Sequence, residues 1–180
     1  MKKIIPVFFF VFFLVPSLLN AQLRLPSLIN DGMVLQRDAE VLIYGQASPK
    51  DMVQISFLDS IFYTRANEMG EWSLYLYNLE AGGPHDMIFS ADTTIIIRDV
   101  MIGDVWVCSG QSQMDMDMNR VHPLYEEEIN SAGNQSIRYF EVPGVYNFEG
   151  PQKDIPRGNW ESISRENILD VSAIAYLFIQ

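Results

Sequence analysis

Between residues 23 and 99 apolar side chains come in short runs broken by turn residues, with hardly a helical period among them. Val41-Leu42-Ile43-Tyr44 runs into Gly45 and a Ser48-Pro49-Lys50-Asp51 turn. Val53, Ile55 and Phe57 then alternate with Gln54, Ser56 and Leu58, the period of two that a half-buried strand needs. Further strands are expected at residues 62–66, after the turn at 67–71 from Trp72 through Leu74 to Leu76, and, past a Gly82-Gly83-Pro84-His85 turn, at residues 87–89. Thr93-Thr94-Ile95-Ile96-Ile97 is the last β-branched run of the set. Strands at this spacing predict an antiparallel β-sandwich over residues 22–99.

From Val100 the pattern changes. Val105-Trp106-Val107-Cys108 is continuously apolar, as in a parallel strand covered on both faces, and a helix can follow Ser112. A second strand is expected at residues 137–142, then a long loop at 143–159 closed by Trp160. Val171, Ile174, Ala175, Leu177 and Phe178 have helical spacing, with Asp170 as the expected N-cap. Strand, helix, strand, helix predicts the start of an α/β layer over residues 100–180. Two strands and two helices are too few to cover a parallel sheet, and the last helical pattern carries no C-cap signal, so the carboxyl part of this layer is expected to be missing.

The amino end is a separate unit. Lys2 and Lys3 precede an apolar run over residues 4–15, followed by Pro16, Ser17 and a small residue at Ala21. The run is shorter than the roughly 20 residues a membrane span requires, so residues 1–21 read as a signal peptide cleaved after Ala21. Export to the periplasm or beyond the cell is expected, with no membrane association after cleavage. The chain holds 12 basic and 23 acidic residues, a net charge of −11, and loss of the two leader lysines makes it more acidic. Nucleic acid is an unsuitable partner for such a surface, because phosphate neutralisation needs clustered Lys and Arg. Cys108 is the single cysteine, so no internal disulfide can form.

Residues 103–114, Gly-Asp-Val-Trp-Val-Cys-Ser-Gly-Gln-Ser-Gln-Met, concentrate the candidate chemistry. A serine between strand and helix lies where unpaired backbone N–H groups and the helix dipole favour developing negative charge, a place suited to acyl transfer. Ser112 could equally be a helix N-cap, the common fate of serine at such a junction. Ser109 reads as structural. Asp115 and Asp117 suit the dipole of a first helical turn, and residues two apart do not share a face, so neither a metal nor another cofactor is expected. Met114, Met116 and Met118 read as packing residues, and Glu126-Glu127-Glu128 as a solvated face. Trp72 reads as core, with stacking on a sugar ring the alternative for it and for Tyr75 and Tyr77.

Five blocks of the chain resemble, in order, those of the sialate O-acetylesterases within the SGNH (GDSL-like) hydrolases. They are Asp31-Gly32-Met33-Val34-Leu35-Gln36-Arg37, Gly70-Glu71-Trp72, Ala81-Gly82-Gly83-Pro84, residues 103–114, and Val171-Ser172-Ala173-Ile174-Ala175-Tyr176. The resemblance implies that the first part of the chain is followed by the opening of an SGNH-type α/β domain. In the family's Ser-Gly-Gln-Ser-Asn-Met block the second serine is the nucleophile. That role falls on Ser112, whose N–H would also be the first oxyanion donor, with Gly110, Gln111 and Gln113 supporting the turn. Gln113 departs from the family's asparagine. The family's Asp-x-x-His block has no match in these residues. His122, ten positions after Ser112, would lie about 15 Å along a continuous helix, and His85 reads as a turn residue of the β region.

The function expected from the resemblance is an exported carbohydrate esterase that removes O-acetyl groups from sialic acids or other sugars and is weakly active as this chain. The alternative is a secreted carbohydrate-binding β module with a vestigial hydrolase segment. An acetylated sugar or sialoglycan is the expected partner. Oligomeric state is left open.

Overall fold

The alternation of Val53, Ile55 and Phe57 has a direct structural consequence: all three are buried on one face of their strand, while Met52 points outward. The structure is a computed structural model that describes residues 22–155 and 157–180; the leader read at residues 1–21 lies outside them. Among the described residues, seven strands precede residue 104. They are β1 (Val34–Gln36), β2 (Val41–Gln46), β3 (Met52–Phe57), β4 (Ser60–Arg65), β5 (Glu71–Leu76), β6 (Gly82–Ser90) and β7 (Thr94–Gly103). Five form a sheet in the order β1-β7-β6-β3-β4, and β2 pairs with β5.

The sheet is mixed. Every pairing is antiparallel except β1 with β7, which run parallel with Val34 opposite Met101 and Gln36 opposite Gly103. This corrects the purely antiparallel expectation: β1 is only three residues long, too short for its period to be read. The expected turn at residues 82–85 is also corrected, because these residues belong to β6 and pair with β7 through an irregular register. Gly83 makes that possible. Its φ of +128° is open to glycine, and an added Cβ would stand 2.8 Å from the Val100 carbonyl oxygen.

Side chains from both groups of strands share one apolar cluster. Ile43, Trp72 and Leu76 of the β2–β5 pair meet Val53, Ile55, Phe57, Met87, Phe89 and Val100 of the larger sheet. The Trp72 and Phe89 rings lie 6.0 Å apart. Trp72 is 3% exposed, which settles it as core, and its Nε1–H has no hydrogen-bond partner among the described residues.

After Gly103 the elements are short: α1 (Met118–Val121), α2 (Glu126–Ser131), β8 (Arg138–Phe140), β9 (Trp160–Ser162) and α3 (Ala173–Ile179). β8 and β9 form an antiparallel pair. Met118, Ile129, Ile163, Ile168, Val171 and Tyr176 gather into a second apolar cluster. Two expectations fail here. Residues 105–108 form no strand and are exposed, Trp106 by 62% and Val107 by 91%, because no described strand lies beside them to complete a ladder. The last helix begins after Ser172, whose hydroxyl accepts from the Ala175 N–H, and not at Asp170. Tertiary pairing overrides the local cap: Val171 and Ala173 bond to Met118 and Met116, which holds Val171 extended.

Candidate active site

β1 and β7 bring two distant sequence blocks side by side. The Arg37 N–H donates to the Gly103 carbonyl at 2.9 Å, and the Val105 N–H donates to Gln36 Oε1 at 2.7 Å. The Arg37 guanidinium forks onto Asp104, with Nε to Oδ1 at 2.9 Å and Nη2 to Oδ2 at 3.4 Å, and also meets Asp38. The Asp104 hydrogen bond and charge raise the Arg37 pKa above its already high ordinary value. The chain leaving β7 is therefore clamped for two residues past the strand end.

It then runs exposed to Ser112. Trp106 stands edge-on to Phe178 of α3 with ring centres 5.1 Å apart, which ties this run to the second cluster's helix. A tight turn follows, in which the Met114 N–H donates to the Gln111 carbonyl at 2.8 Å. Ser112 and Gln113 occupy its two corner positions, and both are exposed. Neither the N–H nor the hydroxyl of Ser112 bonds to another described residue, so both are uncommitted. Gly110 packs close beneath: an added Cβ would lie 3.0 Å from Met114 Cγ.

Helix α1 starts only at Met118, and its N-cap is Asp117, whose Oδ1 accepts the Arg120 N–H at 3.0 Å. Ser112 is thus neither an N-cap nor within a helix's first turn, so the dipole argument applies to Asp117 instead. Asp117 therefore caps a helix; no group of three His, Cys, Asp or Glu is gathered among the described residues. Met118 is fully buried, while Glu126 and Glu127 face solvent in the first turn of α2, where the dipole favours them.

The two histidines lie elsewhere. His85 packs edge-on to Phe57 at 6.0 Å, a packing role in β6. His122 sits half-buried in a 3-10 turn over His122–Leu124 and makes no hydrogen bond to Ser112. Tyr75 and Tyr77 are exposed, with rings 6.2 Å apart.

One residue escaped the sequence reading. Arg138 of β8, with a side chain only 6% exposed, donates to the Gly32 carbonyl at 2.8 Å and to both the carbonyl and the carboxylate of Asp99. It fastens the β8–β9 pair to the β1 and β7 end of the sheet, beside the Asp31 block. An arginine among the aromatic residues of a strand was the available signal, but its acceptors are the Gly32 and Asp99 carbonyls and the Asp99 carboxylate, 39 or more residues away, which no pattern reveals.

No family model matches the chain. Its fold resembles that of a carbohydrate acetylesterase from Xanthomonas citri, with a TM-score of 0.81 and 30% identity, over 87% of this chain and 36% of that one. By fold, the chain is thus mostly sheet and similar to a carbohydrate acetylesterase. Its sequence narrows this further: the chain is a relative of the sialate O-acetylesterases. The human sialate O-acetylesterase is 30% identical over 135 residues, which are 68% of this chain and 26% of that protein. The rat enzyme is 25% identical over 173 residues, 86% of this chain and 32% of its own length. The chain therefore spans about a quarter to a third of the relatives it matches.

Proposed function

We propose that the protein is a carbohydrate esterase that removes O-acetyl groups from sugars, with Ser112 as nucleophile. The observation that carries this reading is the turn at residues 111–114, where Ser112 stands at an exposed corner with its hydroxyl and N–H both uncommitted. Both groups are needed in one place. The hydroxyl would attack the acetyl carbonyl, its proton would leave to a base, and the N–H would donate to the oxyanion that forms. Collapse would expel the sugar alcohol and leave an acetyl-serine for water to cleave. The clamp of Arg37 on Asp104 supports the reading because it fixes the approach to that turn.

The same reading divides the chain into an exported β-sandwich and the opening of an SGNH-type α/β domain. The boundary expected between residues 99 and 100 falls inside β7, which runs to Gly103. No histidine among the described residues bonds to Ser112, so slow turnover is expected. Incubation with p-nitrophenyl acetate, acid quench and peptide mass spectrometry tests the assignment. An acetyl group on Ser112 is expected; acetyl on Ser109, or at random surface lysines alone, would overturn it.

A further inference from the structure

A cleft of about 530 Å³ opens where the β8–β9 pair meets the end of the larger sheet, within the size range of small-ligand sites. Its walls include Asp31, Arg98, Trp160, Glu161, Glu166 and Asn167. A second depression of about 440 Å³ adjoins it, sharing Asp31 and Trp160. Neither belongs to the turn that carries Ser112.

The polar groups in this cleft fall into two sets. One is already held in place: Asp31 Oδ1 accepts the Arg98 N–H at 2.7 Å, and Glu161 Oε2 accepts Tyr139 Oη–H at 3.1 Å and Asn167 Nδ2–H at 3.4 Å. Asn167 is itself fixed by the Ser164 N–H and the Ser162 carbonyl. The other set has no partner among the described residues: the second oxygen of Asp31, the second oxygen of Glu161, the Glu166 carboxylate and the Arg98 guanidinium. Two carboxylates are thus oriented by one oxygen each while the other stays open, beside an indole ring held by its own N–H to the Leu28 carbonyl. Fixed acceptors, one forked donor and an aromatic wall match the hydroxyls and the apolar C–H face of a pyranose ring.

We propose that this cleft is a saccharide-binding subsite for a neutral sugar, separate from the ester-cleaving turn. The sugar class rests on the carbohydrate esterase reading; the neutrality does not. Asp31, Asp99, Glu161 and Glu166 outnumber Arg98 and Arg138, and Arg138 is engaged with Gly32 and Asp99, so an anionic ligand would meet uncompensated like charge.

Nuclear magnetic resonance titration of the full chain with xylotriose, cellotriose and lactose, and separately with 3′-sialyllactose, tests this. Saturable shifts at Trp160 Nε1–H and Asn167 are expected with at least one neutral probe, and weaker binding of the sialylated one. Arg98→Ala and Glu166→Ala, both on the solvent side, should each weaken binding about tenfold, the loss of one hydrogen bond to a charged group. Ser112→Ala should leave it unchanged. No response to any neutral probe, shifts confined to other residues, or equal binding by 3′-sialyllactose would overturn the proposal. Acetyl ester turnover measured on the same samples separates the two readings, since turnover without sugar binding refutes this subsite alone and binding without turnover refutes the esterase alone.

Discussion

Trp72 and Arg138 show how single residues hold this protein together in opposite ways. Trp72 fills the core but leaves its indole N–H without a partner among the described residues. Trp72→Phe removes that orphan donor along with some buried area, so the two effects oppose, and a change within about 1 kcal/mol is expected. Trp72→Ala gains nothing comparable and should cost about 3–5 kcal/mol. Urea denaturation of both variants checks the difference; equal losses would mean that the N–H is satisfied. Arg138→Met leaves three acceptors at Gly32 and Asp99 without their donor, at an expected cost of about 1–3 kcal/mol after allowance for the solvated Asp99 carboxylate. Arg138→Lys should recover only part of this, because an ammonium cannot fork. Full recovery would show that charge alone matters. Gln113 is the third informative residue. If its longer amide displaces the turn, Gln113→Asn should raise acetyl ester turnover, up to about a hundredfold for a 1 Å correction. Unchanged turnover would show that the exposed amide takes no part.

Among the elements, most strands of residues 41–97 were legible because a more buried face alternates with an exposed one every second residue, as Val53, Ile55 and Phe57 do against Met52, Gln54 and Ser56. Elements defined by partners were not. β1 is visible only through its parallel ladder to β7, and residues 105–108 have a strand's composition but no strand to pair with. Ser112 was legible as a turn residue because small and polar side chains follow an apolar run. The late start of α1 was hidden in the pairing of residues 116–118 with 171–173. The long loop before β9 offers a prediction of its own. It is fastened to the β region by Lys153 on Glu71 and by Asp154, which accepts the Ser27 N–H at 3.0 Å. The Lys153 hydrogen bond, then that of Asn67, holds the Glu71 carboxyl below its ordinary pKa. A depressed carboxylate contributes stability above its unfolded pKa and loses it as pH falls through the folded value. Hydrogen exchange at residues 153–155 should therefore gain protection as pH rises past the carboxylate range, after correction for intrinsic rates. Glu71→Gln should flatten that profile, and an unaltered profile would show that the pair does not tether the loop.

For the molecule as a whole, two apolar clusters are joined by the Arg138 clamp, by Trp160 of β9, which packs against the first cluster and donates to the Leu28 carbonyl, by the loop anchored through residues 153 and 154, and by the segment that leaves β7 toward Ser112. Ser112 lies on that connecting segment, so its position depends on both clusters at once, through Asp104 on one side and Phe178 on the other. The chemistry assigned to it is tested most directly by the steady-state hydrolysis of p-nitrophenyl acetate by the chain and by Ser112→Ala, with Ser109→Ala as the neighbouring control. Slow turnover that Ser112→Ala reduces to the uncatalysed rate and Ser109→Ala leaves intact is the expected result. Turnover by Ser112→Ala equal to that of the unaltered chain would contradict the assignment of Ser112 as the nucleophile.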